Sequence, residues 1–239
     1  SGLGHYALAV NGAAVDAGLL TPGWSDYRKT CLYDTHDLTT KLREGPNALG
    51  LTLAGGMYNV QGGFGRYTKF TSAYRPLKAF GGLRLEYADG TVETVVTDHR
   101  WRTAPGPTTY ANMFGGEDHD ARRDAADWSA AGFDDAAWTP AAVTDGPGGI
   151  LRGAAWASPP FAAHESLSPV AVREIRPGVS VYDFGQNASM MPRLRVRGPA
   201  GATVRMIPAE LVRADGTVNR TSVGGGSAWW QYTLRGDPE

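Results

Sequence analysis

The sequence predicts an all-β protein: two tandem β-sandwich domains with short irregular connections. Three observations carry that expectation. Short segments of alternating apolar and polar residues recur along the whole chain. Glycine (32) and proline (15) together make about a fifth of the 239 residues and supply frequent turns. No segment sustains the periodicity of an amphipathic helix, and evenly spaced short strands without helices point to sandwiches.

The elements follow in order. Tyr6-Ala7-Leu8-Ala9-Val10 reaches the turn dipeptide Asn11-Gly12, and Ala13-Ala14-Val15 returns, so the segment reads as a hairpin. Residues 20–27 form an irregular loop holding Trp24 and Tyr27, whose rings are expected to pack the sandwich edge. Cys31-Leu32-Tyr33 is extended. Residues 37–42 are too short for a lasting helix and predict one turn ending at Gly45-Pro46. Residues 48–54 read as a buried strand, followed by a long glycine-aromatic loop, 55–67. Leu83-Arg84-Leu85-Glu86-Tyr87 and 91–96 flank Asp89-Gly90 as a second hairpin. A short helix is expected at about 118–127. The Pro-rich stretch Ala157-Ser158-Pro159-Pro160-Phe161 predicts the domain boundary, giving a first domain at 1–157 and a second, incomplete at its C-terminus, at 158–239. Further strands are expected at 170–175, 179–184, 193–197, 203–208 and 229–234.

Composition excludes several functions. With 42% hydrophobic and 20% charged residues the chain is ordinary globular protein, and its net charge of −1 supplies no field to hold nucleic acid or an anionic membrane. No run approaches the ~18 apolar residues of a membrane-spanning helix, and Cys31, the single cysteine, cannot form an internal disulfide. The chain opens on Ser-Gly directly into a strand pattern with no export signal, which reads as the start of a fragment. Gly62-Gly63-Phe64-Gly65 lacks the Lys-Ser/Thr pair of a P-loop. Gly225-Gly226-Ser227-Ala228 lacks the second glycine of a nucleophile elbow. The five histidines are scattered, without zinc-ligand spacing.

Carboxylates and loop aromatics remain. Residues 110–122 pack Glu117, Asp118, His119, Asp120 and Arg122 beside Gly115-Gly116. The group reads either as a sugar- or metal-binding loop or as a salt-bridged surface hinge. Asp34/Asp37, Glu117/Asp120 and Asp134/Asp135 have the oxygen ligands for calcium or the acid and base for glycoside cleavage. Asp134/Asp135 reads better as a turn pair. Sugar binding needs flat aromatic faces together with amides, carboxylates or guanidinium groups that bridge hydroxyls. Trp24, Tyr27, Tyr58, Phe64, Arg66 and Tyr67 lie on expected loops and supply those types. Trp24 and Tyr27 read first as packing at the sandwich edge, and Tyr58, Asn59, Arg66 and Tyr67 with Glu117, Asp120 and Arg122 are the candidate sugar contacts.

Taken in order, several segments resemble the N-terminal region of bacterial α-L-rhamnosidases of glycoside hydrolase family 78. They are Val10-Asn11-Gly12, Leu20-Thr21-Pro22-Gly23-Trp24-Ser25-Asp26-Tyr27, Tyr33-Asp34-Thr35-His36-Asp37-Leu38-Thr39, LREGPNALG at 42–50, Tyr87-Ala88-Asp89-Gly90 and Thr97-Asp98-His99-Arg100-Trp101. Gly116-Glu117-Asp118-His119-Asp120-Ala121-Arg122 follows, then Tyr182-Asp183-Phe184-Gly185-Gln186-Asn187, Gly198-Pro199-Ala200-Gly201, Ala209-Glu210-Leu211 and Asp215-Gly216. The resemblance implies jelly-roll, galactose-binding-like sandwiches ahead of an α-helical barrel that carries the catalytic carboxylates. That barrel is absent from these 239 residues. The resemblance thus implies a non-catalytic region with two partners, a rhamnose-containing glycan and the catalytic barrel of the same protein, in an extracellular or periplasmic setting. Some members carry a calcium-assisted rhamnose-binding module, which makes calcium the candidate cofactor. Departures accompany the match. Ala54-Gly55-Gly56-Met57-Tyr58 stands where a Gly-Asp-Gly-Trp-Tyr loop is common, His119 replaces a tyrosine, and Ser189 and Met190 replace glycines. They point toward a related uronate- or rhamnose-containing polysaccharide. Two other readings stay open: a ligand-free interdomain scaffold, and a self-contained enzyme using Glu117 and Asp120.

Overall fold

Asn11 and Gly12 both adopt positive φ (51° and 83°), the backbone of a tight hairpin turn that these two residue types tolerate. The turn joins β1 (His5–Val10) to β2 (Ala13–Ala14). The Asn11 amide then ties the hairpin to the segment leading into its sheet partner, β4 (Leu49–Ala54). Its Oδ1 accepts from the Ala48 N–H at 3.0 Å, and its Nδ2 donates to Asn47 Oδ1 at 2.8 Å and to Lys41 O at 3.1 Å. The result is the three-stranded sheet β2-β1-β4, antiparallel from His5↔Ala54 to Val10↔Leu49. The computed structural model of the chain describes residues 1–16, 18–71, 74–154, 159, 161–221 and 226–236.

The chain forms two compact units that interleave along the sequence. The first comprises Ser1–Gln61, Phe70–Gly106 and Asp124–Ala162, and the second Gly62–Lys69, Pro107–Arg123 and Ala163–Glu239. The boundary expected at 157/158 falls outside the described residues, as does most of its Pro-rich stretch.

In the first unit, β3 (Thr30–Tyr33) runs parallel to β11 (Ile150–Gly153), and β5 (Gly82–Glu86) forms a hairpin with β6 (Val92–Val96) around Asp89-Gly90. Short β7 (Arg102–Thr103) and β10 (Thr139–Pro140) pair antiparallel. The expected single turn at 37–42 is present, with Lys41 and Leu42 N–H both donating to Leu38 O. Asp134 caps a turn through the Ala136 N–H. Leu3, Tyr27, Cys31 and Tyr58 form the core, with Tyr74 and Phe80 packed against it.

In the second unit, β8 (Thr108–Asn112) and β9 (Gly116–Asp120) join β14 (Thr203–Met206) and β17 (Trp229–Thr233) in a sheet of order β14-β17-β9-β8. β9 runs parallel to β17 and antiparallel to β8, so it has a hydrogen-bonded partner on each edge. β12 (Ala171–Arg176) pairs with β13 (Val179–Asp183), and β15 (Leu211–Val212) with β16 (Val218–Asn219).

The class is all-β as expected, with 34% of residues in strand and 2% helical. Two local expectations fail. The helix expected at 118–127 is instead the end of β9 followed by a 3-10 turn, Ala121–Arg123. Pairing with strands distant in sequence overrides the local preference of this charged stretch. Residues 193–197 form no strand.

Candidate functional site

The candidate residues fall into two groups, one in each unit. Tyr58 and Asn59 follow β4. The turn there is tight, since the Asn59 N–H donates to Gly55 O at 2.9 Å and a Cβ on Gly55 would lie 2.7 Å from Asn59 O. The turn drives the Tyr58 ring inward, where it stacks on Tyr74 (centroids 5.2 Å) and meets the Tyr27 ring edge-on (5.1 Å). With 1% of Tyr58 exposed, neither ring face is open to a sugar. Its expected role as a stacking platform is corrected to a core role, because apolar burial claims the ring first. Asn59 is also buried, and its Oδ1 accepts from Arg75 Nε at 3.3 Å.

Arg66 is the centre of the other group. A turn with positive φ at Gly63, Phe64 and Gly65 presents it to the four-stranded sheet. Its guanidinium forms an ion pair with Asp118 of β9, and Nη1 donates to Trp229 O at 2.7 Å and Gly115 O at 3.1 Å. The guanidinium plane also lies 3.9 Å from the Trp229 ring centroid and 4.6 Å from that of Tyr110. Only 1% of the side chain is exposed, so Arg66 is a structural clamp on β8, β9 and β17 and not a free sugar contact. Asp118, its partner, belongs to the charged group of residues 110–122 but not to the candidate sugar contacts. It sits in the motif Gly116–Asp120, but nothing in the spacing pairs it with a residue 52 positions away.

The remaining candidates share the same sheet. Tyr67 lies against Gly226, where a Cβ would meet the ring at 2.5 Å, and faces Phe114 edge-on at 6.3 Å. It keeps 41% exposure. Strand alternation sends Glu117 to one face of β9 and Asp120, three positions on, to the other. Asp120 is engaged by Arg122, whose Nε and Nη2 donate to its two oxygens at 2.9 and 2.8 Å. Those bonds hold its pKa down at about 2. Glu117 moves the other way: desolvation raises it, against the opposing pull of His119, although part of the side chain stays exposed. A glycosidase pair must face one substrate from two sides of the scissile bond. Opposite faces of one strand, with one member locked to arginine, do not make such a pair.

For calcium, no three His, Cys, Asp or Glu side chains converge among the described residues. Four first-unit carboxylates are held locally, Asp26 by Arg28, Asp37 by Thr39, Asp89 by Thr91 and Asp98 by Arg100, whereas Asp34 accepts from the Tyr6 hydroxyl at 2.8 Å and Asp16 lies 3.2 Å from His36 Nδ1. Of the two loop aromatics read between edge packing and sugar contact, one stays open to solvent. Trp24 is 66% exposed at the rim of a hollow of about 380 Å³. Its sequence neighbour in that expectation, Tyr27, is buried as foreseen.

Comparison with known proteins gives a consistent picture. The family model described as the α-L-rhamnosidase N-terminal domain matches residues 1–165, and that of the bacterial α-L-rhamnosidase concanavalin-like domain matches 173–239. An α-L-rhamnosidase of Streptomyces avermitilis is 40% identical over 99% of the chain, and one of Formosa agariphila is 31% identical over 99%. The chain spans about a quarter of these relatives, 23% and 25% of their lengths. The solved S. avermitilis α-L-rhamnosidase complexed with L-rhamnose superposes with a TM-score of 0.89 at 38% identity, over 99% of this chain and 23% of that one. The Dictyoglumus thermophilum α-L-rhamnosidase gives 0.87 at 32%, over 100% and 26%.

Proposed function

The chain belongs to the bacterial α-L-rhamnosidase family, glycoside hydrolase family 78, as its N-terminal and concanavalin-like domains, and from that premise we propose that it is an accessory region that binds carbohydrate beside a catalytic domain. The observation that carries this reading is the arrangement of Glu117 and Asp120 on opposite faces of β9 with Asp120 engaged by Arg122. That arrangement speaks against Glu117 and Asp120 as a catalytic pair and supports recognition as the chain's contribution. Calorimetry of L-rhamnose into the chain, with calcium and again with chelator, tests it. Heat that requires calcium marks a metal-bridged module in which backbone carbonyls complete the site; heat in both cases marks a metal-free one. Hydrolysis of an aryl rhamnoside by the purified chain, lost in Glu117→Gln, would replace this reading with a self-contained enzyme.

A scaffold role has its own observation. Val172 and Tyr182, partners across the β12–β13 hairpin, are 55% and 59% exposed, and Val170 is 71% exposed. Apolar surface of this kind in adjacent strands marks a face that another protein element covers. Hydrogen exchange of the chain, alone and with a separately expressed catalytic domain, separates the readings. Protection of β12 and β13 without any sugar binding favours the scaffold.

A further inference from the structure

Within the first unit, the loop that carries Trp24 is held in one shape from several directions. Lys29 and Thr30 N–H both donate to Asp26 O at 2.8 and 2.9 Å, and Ser25 Oγ donates to Thr30 O at 2.6 Å. The Ile150 N–H bonds Lys29 O at 3.0 Å, and the parallel pairing that follows sets Arg152 beside Leu32. Tyr27 and Leu32 are buried beneath, at 4% and 5% exposure. The loop therefore needs little ordering to receive a ligand.

The groups it presents are of three kinds. Trp24 offers an indole that is 66% exposed and contacts no other ring among the described residues. The Thr30 hydroxyl, also in the hollow, has no hydrogen-bond partner among them. The charged groups do not balance. Asp26 is neutralised within the loop by Arg28 at 3.3 Å and Lys29 at 3.7 Å, whereas Arg152 has no carboxylate partner among the described residues. The hollow of about 380 Å³ thus combines a flat apolar face, a free hydroxyl and surplus positive charge.

A sugar ring stacks its C–H face on an indole, and a carboxylate on that ring meets a guanidinium through charge-assisted hydrogen bonds. We propose that the Trp24 hollow is a subsite for an acidic sugar, a uronate unit of a polysaccharide, with Trp24 under the ring and Arg152 at the carboxylate. The proposal rests on the carbohydrate-binding reading and moves the contact away from Tyr58. A simple phosphate would leave the indole unused, and a neutral sugar would leave the positive charge of Arg152 uncompensated.

The test is calorimetry of the 239-residue chain with an oligosaccharide alternating L-rhamnose and D-galacturonate, and with the same oligosaccharide after reduction of its carboxylates. The acidic form is expected to bind. Affinity should fall about tenfold for the reduced form and for Arg152→Gln, and binding should vanish in Trp24→Ala. Both residues are exposed, so both variants should melt with the parent chain. Full affinity of both variants for the acidic form overturns the subsite and leaves carbohydrate binding intact. So does equal binding of the two oligosaccharides, or binding of L-rhamnose alone. Silence of all three ligands overturns the carbohydrate reading together with the subsite.

Discussion

The Arg66 guanidinium gives up nearly all contact with water, 1% of its side chain remaining exposed, and its surroundings replace that water at both Nη atoms, while Nε has no hydrogen-bond partner among the described residues. Two carbonyls, one carboxylate and two aromatic faces receive it. Removing it leaves Asp118 without its cation beside two carbonyls that lose their donor. Arg66→Ala should therefore lower stability by about 2–4 kcal/mol, below the full cost of breaking a buried pair because Asp118 is 26% exposed. Arg66→Lys should recover only part, since an ammonium cannot reach three acceptors while lying flat on Trp229. Urea unfolding measures both, and a loss under ~0.5 kcal/mol for the alanine variant would reduce the clamp to an ordinary surface pair. Asp120 makes a contrasting prediction. Its folded pKa of about 2 lies below the usual 3.8, so the unfolded chain takes up its proton first as pH falls. The contribution is complete above about pH 4 and is lost as pH falls through the folded value. Melting curves of the parent and Arg122→Gln should differ at neutral pH and converge near pH 2. A gap that stays constant throughout that acid range would assign the difference to packing.

At the scale of elements, β9 is the instructive case. Gly116-Glu117-Asp118-His119-Asp120 holds no β-branched or large apolar residue, and its run of acids before Ala121 and Arg122 imitates a helix start. It is nonetheless an inner strand, because β8 and β17 bond both of its edges. Gly116 makes that packing possible. Its φ is 92°, and a Cβ there would lie 2.1 Å from Trp229 O, part of the neighbouring backbone that cannot swing aside. Gly116→Ala should lose on the order of 2 kcal/mol or more, combining backbone strain with a separation of β9 from β17. Chemical unfolding gives the magnitude, and exchange of the β17 amides locates the damage. Unchanged β17 protection would show that the sheet absorbs the side chain elsewhere. The hairpins behave differently. Asn11-Gly12 and Asp89-Gly90 sit between alternating segments a few residues apart, so local backbone preference and pairing agree, and both form as read from sequence.

Across the whole molecule, the first unit places its aromatic core around Tyr27, Tyr58 and Tyr74 and encloses the chain's one thiol. Cys31 is 3% exposed, and burial raises its pKa, which removes thiolate as well as access. Its reaction with a thiol reagent should follow opening of this unit, accelerating with urea in step with loss of the tyrosine near-ultraviolet signal. Fast labelling in the folded state would contradict the enclosed core. The all-β class, the two best hairpins, the strand at β17 and the family motifs were legible in the sequence itself, because alternation, turn dipeptides and short ordered motifs are properties of neighbouring residues. The fates of the candidate side chains were not. Tyr58 and Trp24 are both large aromatics in loops, yet one is 1% exposed and the other 66%. Arg66 and Arg152 are both arginines near loops, yet one is spent on a carboxylate 52 positions away while the other has no carboxylate partner among the described residues. What the sequence by itself determined was the class, the turns and the family. Which rings face water and which charges are already neutralised was decided by tertiary structure, because burial and ion pairing depend on distances between residues far apart in the chain.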